Sequence, residues 1–131
     1  VKEFLRRLAF LYFAGGVGAL FRCLGEWLLG AAGVTASMGV RLAPPLEPHW
    51  LLESLVSGGL WALLLVAFFH DPAGRFMGLA AAIGVVRAGF LLFLVWPSPT
   101  ALGLVAPLFV LGYHLIWALV AGGVTLALRA R

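Results

Sequence analysis

LAFLYFAGGVGALFRCLGEWLL, residues 8–29, decides how this chain folds. The run is almost wholly apolar, and about 20 such residues make one helix that crosses the hydrocarbon core of a bilayer. Two charges interrupt it, Arg22 and Glu26, four apart and so on one helical face. Lys2, Arg6 and Arg7 come before it, in the manner of a signal peptide. Yet charged and apolar sequence continues after the run, with no small-x-small cleavage site, so the expectation is a retained first membrane helix.

Working outward, three more apolar runs follow. They predict spans over about 48–70, 75–96 and 102–128, beside the first over 8–29. Of the 131 residues, 63% are hydrophobic and 11% charged. A soluble domain is usually about 45–50% apolar and about 25% charged. A globule this small leaves too much surface in water to hide the difference. The fold class expected is therefore all-α: a polytopic membrane protein of four transmembrane helices, one membrane domain over 1–131. The alternating ten-residue segments of a membrane barrel are absent.

Loop residues set the orientation. Lys2, Arg6, Arg7, Arg75, Arg129 and Arg131 fall on one side, and Arg41 stands alone on the other. The positive-inside rule then puts both termini in the cytoplasm. Trp27, Trp50 and Trp96 all reach the outer boundary, where amphipathic rings settle. Pro44-Pro45 forces an extended exit from the first loop, Asp71-Pro72-Ala73-Gly74 reads as a turn, and Pro107 as a kink in span 4. The formal charge of +4 sits at helix ends, which argues for membrane lipid and against nucleic acid as the partner. Cys23, the one cysteine, excludes an internal disulfide and any paired-cysteine metal motif.

Ionisable residues inside a span are costly, about 2.5–3.5 kcal/mol each on insertion scales, and mark candidate sites. Arg22, Glu26, Glu53 and Arg87 are placed by helical rise in the outer half of the membrane, with Arg22 roughly 21 Å above the boundary at Leu8. Each shares a face with small residues: Gly15, Gly18 and Ala19 with Arg22, Ala80 and Gly84 with Arg87, Ser57 with Glu53. Small residues mark helix contacts in lipid. The expectation is one polar cluster of these four, acting as a structural ion-pair network or as a site for a small anion or lipid headgroup. Glu53, near the start of its span, also suits the helix dipole there. His114, with Tyr113, is a second candidate polar site. It suits haem ligation or proton relay, or simply a hydrogen bond to a neighbour. His49 and His70 lie at opposite membrane edges and make no pair with it.

Enzyme motifs fail in turn: there is no H-E-x-x-H, Walker A loop, G-x-S-x-G or C-x-x-C. Arg neighbours would hold Glu26 and Glu53 ionised, unsuited to proton transfer. No catalytic residue, metal or cofactor is expected. Gly15-Gly16 and Gly122-Gly123 fit a broken helix lining an ion path, or simply the general frequency of glycine in membrane helices.

Gly15, Gly18, Ala19 and Arg22 in the stretch 15–22 resemble the first helix of the small four-helix fluoride channel family. That resemblance implies four helices, dual-topology dimers and an anion path. The family's Asn in helix 2 has no counterpart in Leu55-Val56-Ser57-Gly58-Gly59. Its hydroxyl-rich third helix has none in Gly84–Phe90. The layout as a whole looks like that of uncharacterised small four-helix bacterial inner-membrane proteins, through Gly58-Gly59-Leu60-Trp61 and Ala106-Pro107-Leu108-Phe109. The function expected is a non-catalytic interaction or accessory subunit or a self-assembling bundle, as a homo-oligomer or within a larger membrane complex. The alternative is a small transporter or anion channel using the Arg/Glu cluster.

Overall fold

Proline and glycine place the breaks, and helices fill the rest. In a computed structural model covering residues 1–131, α1 runs over Lys2–Ala31, α2 is the single turn Val34–Ser37, α3 spans Pro48–Ala62, α4 spans Ala73–Phe90 and α5 spans Ala106–Arg129. A 3₁₀ segment, Leu63–Phe68, continues α3, and a π-helical turn, Leu91–Val95, continues α4. Four of these stretches, counting the continuations, are long and apolar enough to cross a membrane. No strand forms.

The stops have local causes. Trp96 adopts an extended conformation (φ −81°, ψ 152°) before Pro97, as the residue preceding proline must. Glu47 does the same before Pro48, which opens α3 from its first turn. Pro107 likewise sits in the first turn of α5, and the fourth long helix begins at Ala106 rather than Leu102. The expected kink is therefore absent, because a first-turn proline removes an N–H that has no helical acceptor anyway. Gly15-Gly16 and Gly122-Gly123 leave α1 and α5 unbroken. The second span tightens into 3₁₀ geometry and ends before His70.

An even number of long helices brings both termini to one end. There Arg129 donates to the Phe69 carbonyl and stacks over Phe76. His70 Nε2 lies 3.7 Å from Glu3, itself bridged to Arg6 and Arg7. At the opposite end the two connecting loops are pinned together. The Arg41 N–H donates to the Leu102 carbonyl at 2.7 Å, and Gly103 takes a φ of 140° against the Gly39 carbonyl. A side chain at Gly103 would meet that backbone in a conformation L residues avoid.

The long helices form a square with unequal sides. α1 packs along α3 and α5, and α4 packs along α5, whereas α3 and α4 barely touch. Glycines make the three close sides. A Cβ at Gly18 would come within 2.6 Å of the Trp117 carbonyl, one at Gly58 within 2.6 Å of the Ala19 side chain, and one at Gly84 within 2.8 Å of the His114 carbonyl. Such close approach gives tight van der Waals packing between the helix backbones. The half nearer the termini is filled by one apolar cluster containing Leu11, Leu65, Phe69, Phe76, Ala80 and Trp117.

Candidate functional site

The stripe of small residues on α1 that carries Gly15, Gly18 and Ala19 also carries Arg22, and all four are buried. Arg22 is thus turned into the bundle together with its glycines. One helical turn on, the carboxylate of Glu26 accepts a hydrogen bond from the Arg22 guanidinium at 2.8 Å, with both side chains largely buried. On α4 the stripe Ala80, Gly84, Arg87 is buried in the same way. Arg87 crosses the loose side of the square. Its Nη2 donates to the Ser57 hydroxyl of α3 at 3.1 Å, and its guanidinium lies 5.1 Å from the centroid of the Trp117 ring. A desolvated cation over indole is worth about 2 kcal/mol. Trp61 and Phe90 meet edge to face across the same gap, ring centroids 5.9 Å apart.

Arg22 and Glu26 are therefore brought together as a pair, and Arg87 is turned into the same interior from α4. Glu53 is not among them, which corrects the four-membered cluster. Its side chain is 68% exposed and pairs with His49 at 2.9 Å. The reason is helical phase. The face of α3 that packs is Ser54, Gly58 and Ala62, and Glu53 is rotated about 100° from it. His49, Glu53, Ser57 and Trp61 instead line an open groove of about 430 Å³ on α3, which leads from the end opposite the termini down to the Arg87–Ser57 contact.

Two of the cluster's donors have no acceptor. Arg22 Nε and Arg87 Nη1 are buried without a hydrogen bond, and so is the hydroxyl of Tyr113. Tyr113, on α5, meets the Phe109 ring with centroids 6.2 Å apart and lines a groove of about 330 Å³ with Leu29, Met38 and Ile116. Counting Arg22 and Arg87 against Glu26 leaves one net positive charge in the interior. Such unpaired buried groups are uncommon and costly, about 1–3 kcal/mol each.

His114, expected beside Tyr113 as a second polar site, is buried with Nδ1 2.8 Å from the Val110 carbonyl four residues back. The ring nitrogen donates and the carbonyl accepts, so His114 uses that nitrogen within its own helix. His49 and His70 are held by Glu53 and Glu3 at opposite ends of the bundle. Nowhere do three His, Cys, Asp or Glu side chains gather as metal ligands would.

Sequence reasoning missed Trp117, and took Ser57 only as a small residue on the face of Glu53. Trp117 is fully buried, and its indole N–H donates to the Gly15 carbonyl at 3.1 Å, across 102 residues of chain. A tryptophan in the middle of an apolar run, away from the run ends that hold Trp27, Trp50 and Trp96, was the available signal. No family model, curated protein or solved structure matches the chain.

Proposed function

We propose that this chain is an integral membrane protein with both termini in the cytoplasm, seated in a bacterial inner membrane. It acts without catalysis, as an interaction protein that self-assembles or serves a larger membrane complex. One observation carries this reading: the interior is closed. Below the Arg22–Arg87 level, Trp117, Leu65, Phe69 and Phe76 are at most 1% exposed and pack as one apolar cluster, so no polar path continues through the bundle. A conducting interior needs a polar lining to replace an ion's water. The outward face, by contrast, is apolar over the whole height, from Phe13 and Phe21 on α1 to Phe93 and Leu94 past α4. Large apolar exposure of this kind marks a lipid or partner surface. The basic residues at the terminal end support the orientation.

Reconstitution tests it. Purified protein in liposomes is expected to pass no halide or nitrate above the leak of empty vesicles, and to count as more than one copy per particle by subunit photobleaching or to remain bound to a second subunit. A single, unaccompanied copy that conducts, and whose Arg22→Ala or Arg87→Ala variant folds but does not, would overturn the proposal in favour of an anion channel.

A further inference from the structure

We infer that the outward seam between α1 and α3 is a lipid site, which seats one acyl chain of an anionic phospholipid with its headgroup at Lys2. The inference rests on the membrane reading above and goes beyond the interaction role, which involves no ligand.

Gly15 and Gly16 are adjacent but serve different ends. A Cβ at Gly15 would collide with the Gly58 backbone of α3, so packing demands that glycine. A Cβ at Gly16 would meet only the Leu55 carbonyl, at 3.9 Å, an ordinary contact. Packing does not demand this glycine, and what the missing side chain leaves is space. Gly16 lines a groove of about 800 Å³, with Leu8, Tyr12 and Leu20 on α1 and Leu55 and Leu63 on α3 and its continuation. Gly59 gives the Tyr12 ring its place, since a Cβ there would come within 2.8 Å of that ring. No charged side chain lines the groove.

The dimensions select the occupant. From Leu8 to Leu20 the groove runs about 18 Å at 1.5 Å per residue, close to the roughly 15 Å of hydrocarbon in one leaflet. Spread over that length, the volume gives a section of roughly 45 Å², about half that of an α-helix about 10–12 Å across. A hydrocarbon chain fits, and a partner's helix does not.

Charge at the mouth selects the headgroup. Lys2, Leu5, Ala9, Tyr12 and Gly16 follow one another at steps of three and four residues, so they form one stripe of α1. Lys2 stands six residues before Leu8, about 9 Å beyond the end of the groove, at the level of the polar headgroup layer. Glu3 is bridged to Arg6 and Arg7, which leaves the Lys2 ammonium free. A free ammonium beyond an apolar groove matches a phosphate at the end of an acyl chain. A zwitterionic headgroup brings a cation of its own to the same place, so net negative charge is preferred.

Native mass spectrometry of the purified protein in an uncharged detergent tests the site, with phosphatidylglycerol and phosphatidylcholine of identical acyl chains as probes. Wild type is expected to retain one phosphatidylglycerol per chain saturably. It should hold this lipid about fivefold tighter than phosphatidylcholine, the worth of one basic residue at a membrane surface. Lys2→Gln, at an exposed position in the first turn, is expected to remove the preference and keep the stoichiometry. Gly16→Leu fills the groove without a backbone clash. It is expected to abolish retention of both lipids and to leave the melting temperature unchanged or higher, leucine being the better helix former. If Gly16→Leu does not fold, Lys2→Gln carries the decision. Equal retention of both lipids by wild type, an unchanged preference in Lys2→Gln, or wild-type retention by folded Gly16→Leu overturns the site. So does a fall in copies per particle in Gly16→Leu, which gives the groove to a second copy. A lone wild-type copy that holds the lipid with this preference supports the site while counting against self-assembly.

Discussion

Three sides of the helix square and the fourth are built on opposite plans. Where α1 meets α3 and α5, and where α5 meets α4, glycines let one backbone touch the next, at Gly18 on Trp117, Gly58 on Gly15 and Gly84 on His114. Where α3 faces α4, no glycine draws the backbones together, and long side chains span the distance: Arg87 to Ser57, Trp61 to Phe90. The close sides have no room for a ligand between their backbones. The bridged side is held by side chains alone, among them the guanidinium of Arg87. Rigidity and chemistry are thus assigned to different helix pairs.

The largest effect should come from breaking a close side. Gly18→Leu would drive four carbons into the Trp117 backbone, and overpacking costs about 1–3 kcal/mol even where neighbours are side chains that can give. Here the obstacle is backbone, so Gly18→Leu is expected to abolish a monodisperse folded species in size-exclusion chromatography. Retained wild-type elution and melting would mean that α1 and α5 do not meet as described. At the bridged side, Ser57→Ala deprives a buried guanidinium of a hydrogen bond. The expected loss is about 1.5 kcal/mol by reversible unfolding in detergent, the lower end for bonds to charged groups. A loss as large as that of Gly18→Leu would erase the distinction between the two kinds of side. Smallest is Glu53→Gln. The carboxylate is mostly exposed and its partner is His49 alone, so stability is expected to change by no more than about 0.5 kcal/mol.

Much of the architecture was legible before any coordinates. Apolar runs bounded by Pro44-Pro45, Pro72 and Pro97 gave the number of long helices, because length and hydropathy are properties of the segment alone. The inward aim of Arg22 and Arg87 was also legible, since Gly15, Gly18 and Ala19, and Ala80 and Gly84, mark their stripes at helical spacing. Glu53 was not. Its neighbour Ser54 takes the packed position, and choosing between adjacent residues needs the rotation of α3 about its axis, which α1 sets through Gly15 and Gly58. Trp117 was hidden for a related reason: its acceptor is the Gly15 carbonyl, a backbone atom that no side-chain pattern announces. Local rules read Pro107 as a kink because the helix was started four residues early.

Everything turns on charges from α1 and α4 lying among packed helices rather than at a wet or lipid-facing surface. A double-mutant cycle on Arg22 and Glu26 measures that environment directly, with Arg22→Gln, Glu26→Gln and the double variant compared by reversible unfolding. A buried pair leaves a stranded charge when either partner is removed, so the coupling expected is about 2 kcal/mol or more. A coupling of about 0.5 kcal/mol or less, the value of an exposed pair four residues apart on a helix, would contradict a buried cluster.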